Sequence, residues 1–438
     1  MLDAGVGISI EKDSYKAGRL VAQEALNAMS SKPKLAILAV DSLTRRAYDY
    51  NKILKGVREE IGLDVVLIGS TVNGILVGDR FALKSVGLML IGGDFSIDSS
   101  YNFPKSRLEY ENIAEKIYQD SLNFTPNDNR FMLIFLDGMK FPKEVLDKQK
   151  ALNSRFVSLF SRLVKKLFIR QLEEFKEKGL GLTSAQELLE SMYKKGWNWP
   201  IIGNVVTNVR NYDSVEFYND DIGDDNLVGA VLSPQGSTKF GFGYSAGAEY
   251  TGRSAIINKN IGCFLLRVGG KPALKGFCDT ANIRIESLNE LKSCAYLNYH
   301  NIVGTTEKSG DKEIIHLVAT LTDPDLENLI VTGFPFNKIP EEIQIFQSNM
   351  KILHKTAQSC VTQALDNISN PKFFLGLDCG IRFFAYGENL PNIIKTIDNT
   401  IGKDIPRMIV GSGGEIFARK DLDFYYNNMT FISLAGGD

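Results

Sequence analysis

The chain has 438 residues, 44% of them hydrophobic and 23% charged, with a formal net charge of −2. This is the composition of a folded globular protein with room for two or three cores, and it offers no electrostatic basis for binding nucleic acid or an anionic membrane. The start of the chain lacks a basic stretch followed by an apolar core, no apolar run approaches the ~20 residues that span a bilayer, and the five cysteines form no Cys-x-x-Cys pair, so a reducing cytoplasm is the expected location.

Taken in chain order, Tyr15, Leu20, Val21, Ala25, Leu26 and Met29 recur at helical spacing over 12–29 and stop before Pro33. An apolar strand over 35–40 follows, then a helix over roughly 46–61 that ends at Gly62, and a short strand from Val65 to Ile68 entering the turn Gly69–Gly74. Val86 to Leu90 is a further strand. A second strand–helix–strand stretch runs from Arg130 to Gly203-Asn204, interrupted by a segment with Phe156, Leu159, Phe160, Leu163, Leu167 and Leu172 on one helical face. That helix, over 155–178, is expected to pack on the core or to serve as a dimer or partner-docking face. From Phe240 to Phe277 the pattern turns to short β-segments, and Gly241-Phe242-Gly243 fails as a dinucleotide loop because no third glycine and no helix follow. Helix returns over 275–300, a hairpin centres on Lys308–Asp311, and strands are expected at 314–321 and 329–334. A helix near 349–367 precedes a third strand–helix–strand stretch.

These three stretches resemble one another. Lys34–Asp41, Arg130–Asp137 and Lys372–Asp378 each open on a basic residue, run apolar and end on Asp followed by Ser42, Gly138 or Cys379. Each unit closes in Gly and small polar residues, and a strand follows at 86–90, 227–232 or 430–434. The expected fold class is therefore mixed α/β, with two related lobes built from repeated strand–helix–strand–strand units and largely buried mixed sheets.

With those residues in hand, the chain resembles the FIST family of sensory domains. Gly69-Ser70-Thr71-Val72-Asn73-Gly74 is similar to a family turn, although Ile75 stands where the family places Glu. Asp137-Gly138 is similar to its strand-end pair, with Gly203-Asn204 replacing a Gly-Gly. Val268–Leu274 resembles its glycine–x–Pro-Ala-Leu hairpin, Asp378-Cys379-Gly380-Ile381-Arg382 its strand-end Cys-x-x-Arg, and Gly411–Glu415 its Gly-x-x-Gly-Glu turn. The resemblance implies an N-terminal domain over 1–245, with a helical insertion at about 143–196, and a C-terminal domain over 246–438. It also implies a cytoplasmic ligand-sensing module for small molecules such as amino acids, and some relatives bind haem.

The candidate ligand residues are Asp378, Cys379, Arg382, Gly411, Ser412, Gly414 and Glu415, with Ser70 and Asn73. Ligands of open α/β sheets gather at the carboxyl ends of strands. Arg382 has a fork suited to a carboxylate, and Glu415 is an acceptor for an ammonium group, so the two together suit a zwitterion; alternatively they close on each other as an internal salt bridge. The acids Asp41, Asp137 and Asp378 also read as helix N-caps. Cys379 reads as a buried small hydrophobe, a pocket thiol or the nucleophile of an amide- or thioester-cleaving enzyme. The three histidines, His300, His316 and His354, show no zinc spacing, so no metal and no cofactor is expected, with a single haem ligand as the alternative. The leading expectation is a stand-alone sensor that signals through a protein partner. An enzyme or a protein-binding scaffold without a metabolite are the alternatives.

Overall fold

The computed structural model describes residues 1–42, 48–104, 109–125, 129–138, 170, 183–206, 214–261, 264–284, 299–323, 328–331 and 339–438. Apart from residue 170, the helix expected over 155–178 lies outside them, as does most of the stretch 285–300.

Three sheets of six strands share one strand order. The first unit supplies β1 (Asp3–Ser9), α1 (Ser14–Asn27), β2 (Pro33–Asp41), α2 (Tyr50–Ile61), β3 (Val66–Val72), β4 (Ile75–Val77), β5 (Arg80–Ala82) and β6 (Val86–Gly92). The second supplies β7 (Phe95–Pro104), α3 (Tyr110–Ser121), β8 (Phe131–Asp137), α4 (Ala185–Lys195), β9 (Ile201–Val206), β10 (Glu216–Tyr218), β11 (Asp221–Gly223) and β12 (Asn226–Pro234). In the third, β13 (Lys239–Ala246) is followed by an inserted region. It holds β14 (Glu249–Ile261), β15 (Phe264–Val268), β16 (Lys271–Pro272), α5 (Ala273–Ala281), β17 (Ile302–Ser309), β18 (Lys312–Val318), β19 (Thr320–Asp323), β20 (Asn328–Val331) and β21 (Glu342–Gln347). The unit then resumes with α6 (Met350–Leu365), β22 (Pro371–Cys379), α7 (Gly380–Tyr386), α8 (Leu390–Ile401), β23 (Arg407–Ser412), β24 (Gly414–Ala418), β25 (Tyr426–Asn427) and β26 (Thr430–Gly437).

Each unit lays down a parallel pair, β2–β3, β8–β9 or β22–β23, flanked by an antiparallel strand, β6, β12 or β26, and an outer strand, β1, β7 or β13. The hairpin that follows each second parallel strand does not stay in its own sheet. β4–β5 pairs with β23, β24–β25 with β9, and β10–β11 with β3. The exchange is cyclic, so no unit completes its sheet without another. The boundary expected at 245/246 falls at the end of β13, whose partner β26 lies at the far end of the chain.

Alternation along the strands separates two kinds of core. Leu35, Ile37 and Ala39 join Leu375, Leu377, Met408, Ile432 and the strands of the second sheet in one central cluster. Ala36, Leu38 and Val40 instead pack under α1 and α2, and Phe374, Ile409 and Phe431 under α6 and α8. The three sheets thus face one another, with helices on their outer sides. Capping sets the helix starts: Asp13, Asp49 and Asn349 accept from the backbone N–H three residues on, opening α1, α2 and α6. Asp49 thus opens α2 at Tyr50, and residues 46 and 47 of the expected span lie outside the described residues. The expected run of β-segments to Phe277 ends sooner, because Pro272 opens α5 and Ala273-Leu274-Lys275 are good helix formers. The hairpin expected at 308–311 is β17–β18.

Candidate functional site

The carboxyl ends of β3, β9 and β23 come together where the hairpins are exchanged. Backbone bonds lock the crossing: Asn73 N–H donates to the Gly411 carbonyl (2.7 Å), Gly411 N–H to the Gly74 carbonyl (2.9 Å) and Gly413 N–H to the Val205 carbonyl (3.1 Å). A Cβ at Gly411 would overlap the Asn73 carbonyl, so only glycine lets the two chains approach. The register makes Ser70, Asn204 and Val410 counterparts, each opposite a residue near the start of an incoming hairpin: Glu216, Glu415 and Ile75. Ile75, the departure noted in the sequence, is therefore the apolar counterpart of two buried acids.

Glu415 is fully buried. Its Oε1 accepts from the Ser412 hydroxyl, and its Oε2 accepts from Thr430 Oγ1 (2.7 Å) and Thr430 N–H (3.2 Å). Burial pushes its carboxyl up to about 8, against those neutral hydrogen bonds. Glu216 repeats the arrangement, its Oε2 accepting from the N–H of Asn226, which opens β12 as Thr430 opens β26 (3.3 Å). Asn204 bridges the two sides, with Nδ2 3.5 Å from Ser70 Oγ.

Asp378, on β22, and Arg382, on α7, lie on the helix side of the sheet. Arg382 Nε donates to Asp378 Oδ1 (2.5 Å), Nη1 to Thr356 Oγ1 (3.1 Å) and Nη2 to Tyr386 Oη (3.0 Å), while the Tyr386 hydroxyl donates to Asp378 Oδ2 (2.5 Å). Burial disfavours the guanidinium charge, but Asp378 and Tyr386 more than offset it, so Arg382 is held protonated above its ordinary range. The salt bridge made by Arg382 is thus with Asp378, four residues back, and Glu415 takes neutral donors instead. The structure brings Ser412 to Glu415, Asn73 to Gly411 and Asp378 to Arg382. The two groups sit on neighbouring strands, Asp378 paired with Gly411 in the sheet, and Ser412 Oγ makes a long contact with the Asp378 carbonyl at 3.4 Å.

Among the described helices, α2 and α7 do not take Asp41 and Asp378 as their N-caps. Asp41 Oδ2 accepts from Lys84 N–H (2.6 Å), and the cap of α2 is Asp49. Asp137 accepts from the Ser214 hydroxyl, and α7 opens on Cys379 with no side-chain cap. The register also shifts the third unit by one residue: Asp41 and Asp137 pair with Val72 and Val206, and the residue in that position of β22 is Cys379, opposite Ser412. Asp378 is one place earlier and so faces the helices.

Cys379 is buried with Leu317, Phe346 and Met429, and burial, reinforced by Glu415, raises its thiol well above the usual range. His316 Nδ1 meets Asn427 Oδ1 (2.9 Å) and its Nε2 meets Glu307 Oε1 (3.1 Å). His354 Nδ1 meets Thr396 Oγ1 (3.2 Å). Among the described residues no group of three His, Cys, Asp or Glu is placed to hold a metal ion, and no helix is long and apolar enough to cross a membrane. Sequence reasoning left Asn204, Glu216 and Thr430 out of the site. Glu216 opens a three-residue strand with no glycine turn before it, and only the pairing with Ser70 exposes its kinship to Glu415.

Fold and site together define a mixed α/β protein whose three similarly ordered sheets meet in a buried polar layer at their strand ends. The FIST N domain family model matches residues 34–271, more than half of the chain, and the chain belongs to that family of sensory domains. No curated protein matches it.

Proposed function

We propose that this chain is a cytoplasmic sensory protein that binds a small, polar, amino-acid-like metabolite at the strand-end layer and passes occupancy to a protein partner. The observation that carries this reading is the layer itself: Ser70, Asn204, Ser412 and Glu415 are buried polar groups gathered where three parallel strand pairs end, the place where α/β sheets take ligands. Gly411 and Gly414 keep side chains out of the approach, and Asn73 joins the turn of the first unit to β23. Asp378, Cys379 and Arg382 back the layer from β22 and α7. Since these groups are enclosed, a ligand enters only if the exchanged hairpins part, and that movement is what a partner reads.

The test is calorimetric titration of the full chain with the common amino acids, beside native mass spectrometry of freshly purified protein. Binding by the wild type, weakened at least about tenfold in Glu415→Gln through loss of a charge-assisted contact, is the expected result. The absence of both an extra mass and heat with every amino acid would sink the reading.

A further inference from the structure

Asn204 stands where the three units meet, and half of its amide is unused. It is 0% exposed, its Nδ2 makes one long contact with Ser70, and its Oδ1 has no hydrogen-bond partner. An amide oxygen buried in that state carries a substantial desolvation penalty. A folded chain avoids it with valine, the residue found at the counterpart position, Val410.

The surroundings say what would satisfy this oxygen. Glu415 is directly opposite Asn204, and Glu216 directly opposite Ser70. Directly opposed antiparallel residues share a face, about 5 Å apart at Cβ. The order across the layer is therefore Glu216, Ser70, Asn204, Glu415, rich in acceptors, while Ile75 and Val410 give the third side an apolar lining. The donors that reach Glu415, Ser412 and Thr430, are neutral. A primary ammonium offers three donors in a compact head and matches this set. Such a cation beside Glu415 also favours the ionised carboxylate over the buried acid. No cluster of metal-ligating residues is found among the described residues, which sets an organic cation ahead of a metal ion.

We propose that Asn204 is a ligand-binding residue whose Oδ1 accepts a hydrogen bond from the ligand's ammonium group, with the Glu415 carboxylate as the second acceptor. This rests on the reading of the chain as a binder of an amino-acid-like metabolite, and it assigns the ammonium end of that molecule.

The experiment titrates the full chain with glycine and alanine, with acetate and propionate as the matching acids without an amine, and with the remaining common amino acids. The same titrations are made on Asn204→Val and Asn204→Asp. The expected result is binding of an amino acid but not of its deaminated acid, a loss of at least about tenfold in Asn204→Val, and retention in Asn204→Asp. A higher melting temperature of ligand-free Asn204→Val is expected alongside. Wild-type affinity in Asn204→Val overturns the assignment and leaves the sensory reading standing, as does equal affinity for an acid and its amino acid, which decides the matter even if the valine variant fails to fold. No binding of any probe by the wild type overturns both.

Discussion

At the scale of single residues, Glu415 ties the site to stability. Its carboxyl is raised to about 8 in the folded chain, from an ordinary value of 4.5, chiefly by burial. The folded state therefore holds a proton that the unfolded state releases. This contribution is complete below about pH 4.5, and is lost progressively as pH rises to about 8. Glutamine keeps the shape and stays neutral, so groups nearby such as Asp378, Tyr244 and Cys379 titrate in both proteins and cancel in the difference. Glu415→Gln should gain on the wild type by an amount on the order of 4 kcal/mol between pH 5 and pH 8, from the shift alone. Urea unfolding at several pH values and constant ionic strength measures it; parallel stability curves would show that the carboxyl is not held neutral. The sequence placed Glu415 and Arg382 as two ends of one site. They are separated because Arg382 lies one helical turn beyond Asp378, within reach of its carboxylate, and that local pairing leaves Glu415 to Ser412 and Thr430.

At the scale of elements, the strand–helix–strand units were legible because apolar runs, basic first residues and Gly-rich ends are local signals. Counting seven residues from Lys34, Arg130 and Lys372 reaches Asp41, Asp137 and Cys379, the positions that the sheet register equates, whereas matching the acids by type slips the third unit by one. The hairpin exchange was not legible: β4 and β10 are three-residue strands, and a short apolar run does not encode which edge it joins. The exchange depends on close backbone approach, which Gly411 permits. Gly411→Ala should cost at least about 2 kcal/mol, because the clash is with the Asn73 backbone rather than a side chain that can turn away. Gly236→Ala is the comparison, with φ +60 but open space around it, so that only the backbone penalty of about 1 kcal/mol applies. Denaturant midpoints rank the two, and equal losses would mean that the crossing has slack.

At the scale of the whole molecule, the exchange determines what can fold alone. A fragment ending at residue 245 keeps β1 to β12 and nearly all of β13, yet it loses the partners of β4, of the outer edge of β9 and of β13 itself, which are β23, β24 and β26. It also exposes the inner faces that Leu375, Leu377, Met408 and Ile432 cover in the central cluster. Unpaired strand edges beside uncovered apolar faces promote association rather than folding. The sheet of β1, β6, β2, β3, β10 and β11 is by contrast drawn wholly from residues before 245, so secondary structure should persist in the fragment while the unit-to-unit packing fails. Fragment 1–245 should accordingly be aggregated or molten by size-exclusion chromatography and near-ultraviolet circular dichroism, and the full chain should unfold without a stable intermediate corresponding to it. A monomeric fragment with a sharp thermal transition would mean that the first two units close on themselves, and that the cyclic pairing adds to a folded body instead of creating one. The layer at Asn204 would then be built by docking of the last unit, and ligand binding would depend on that docking.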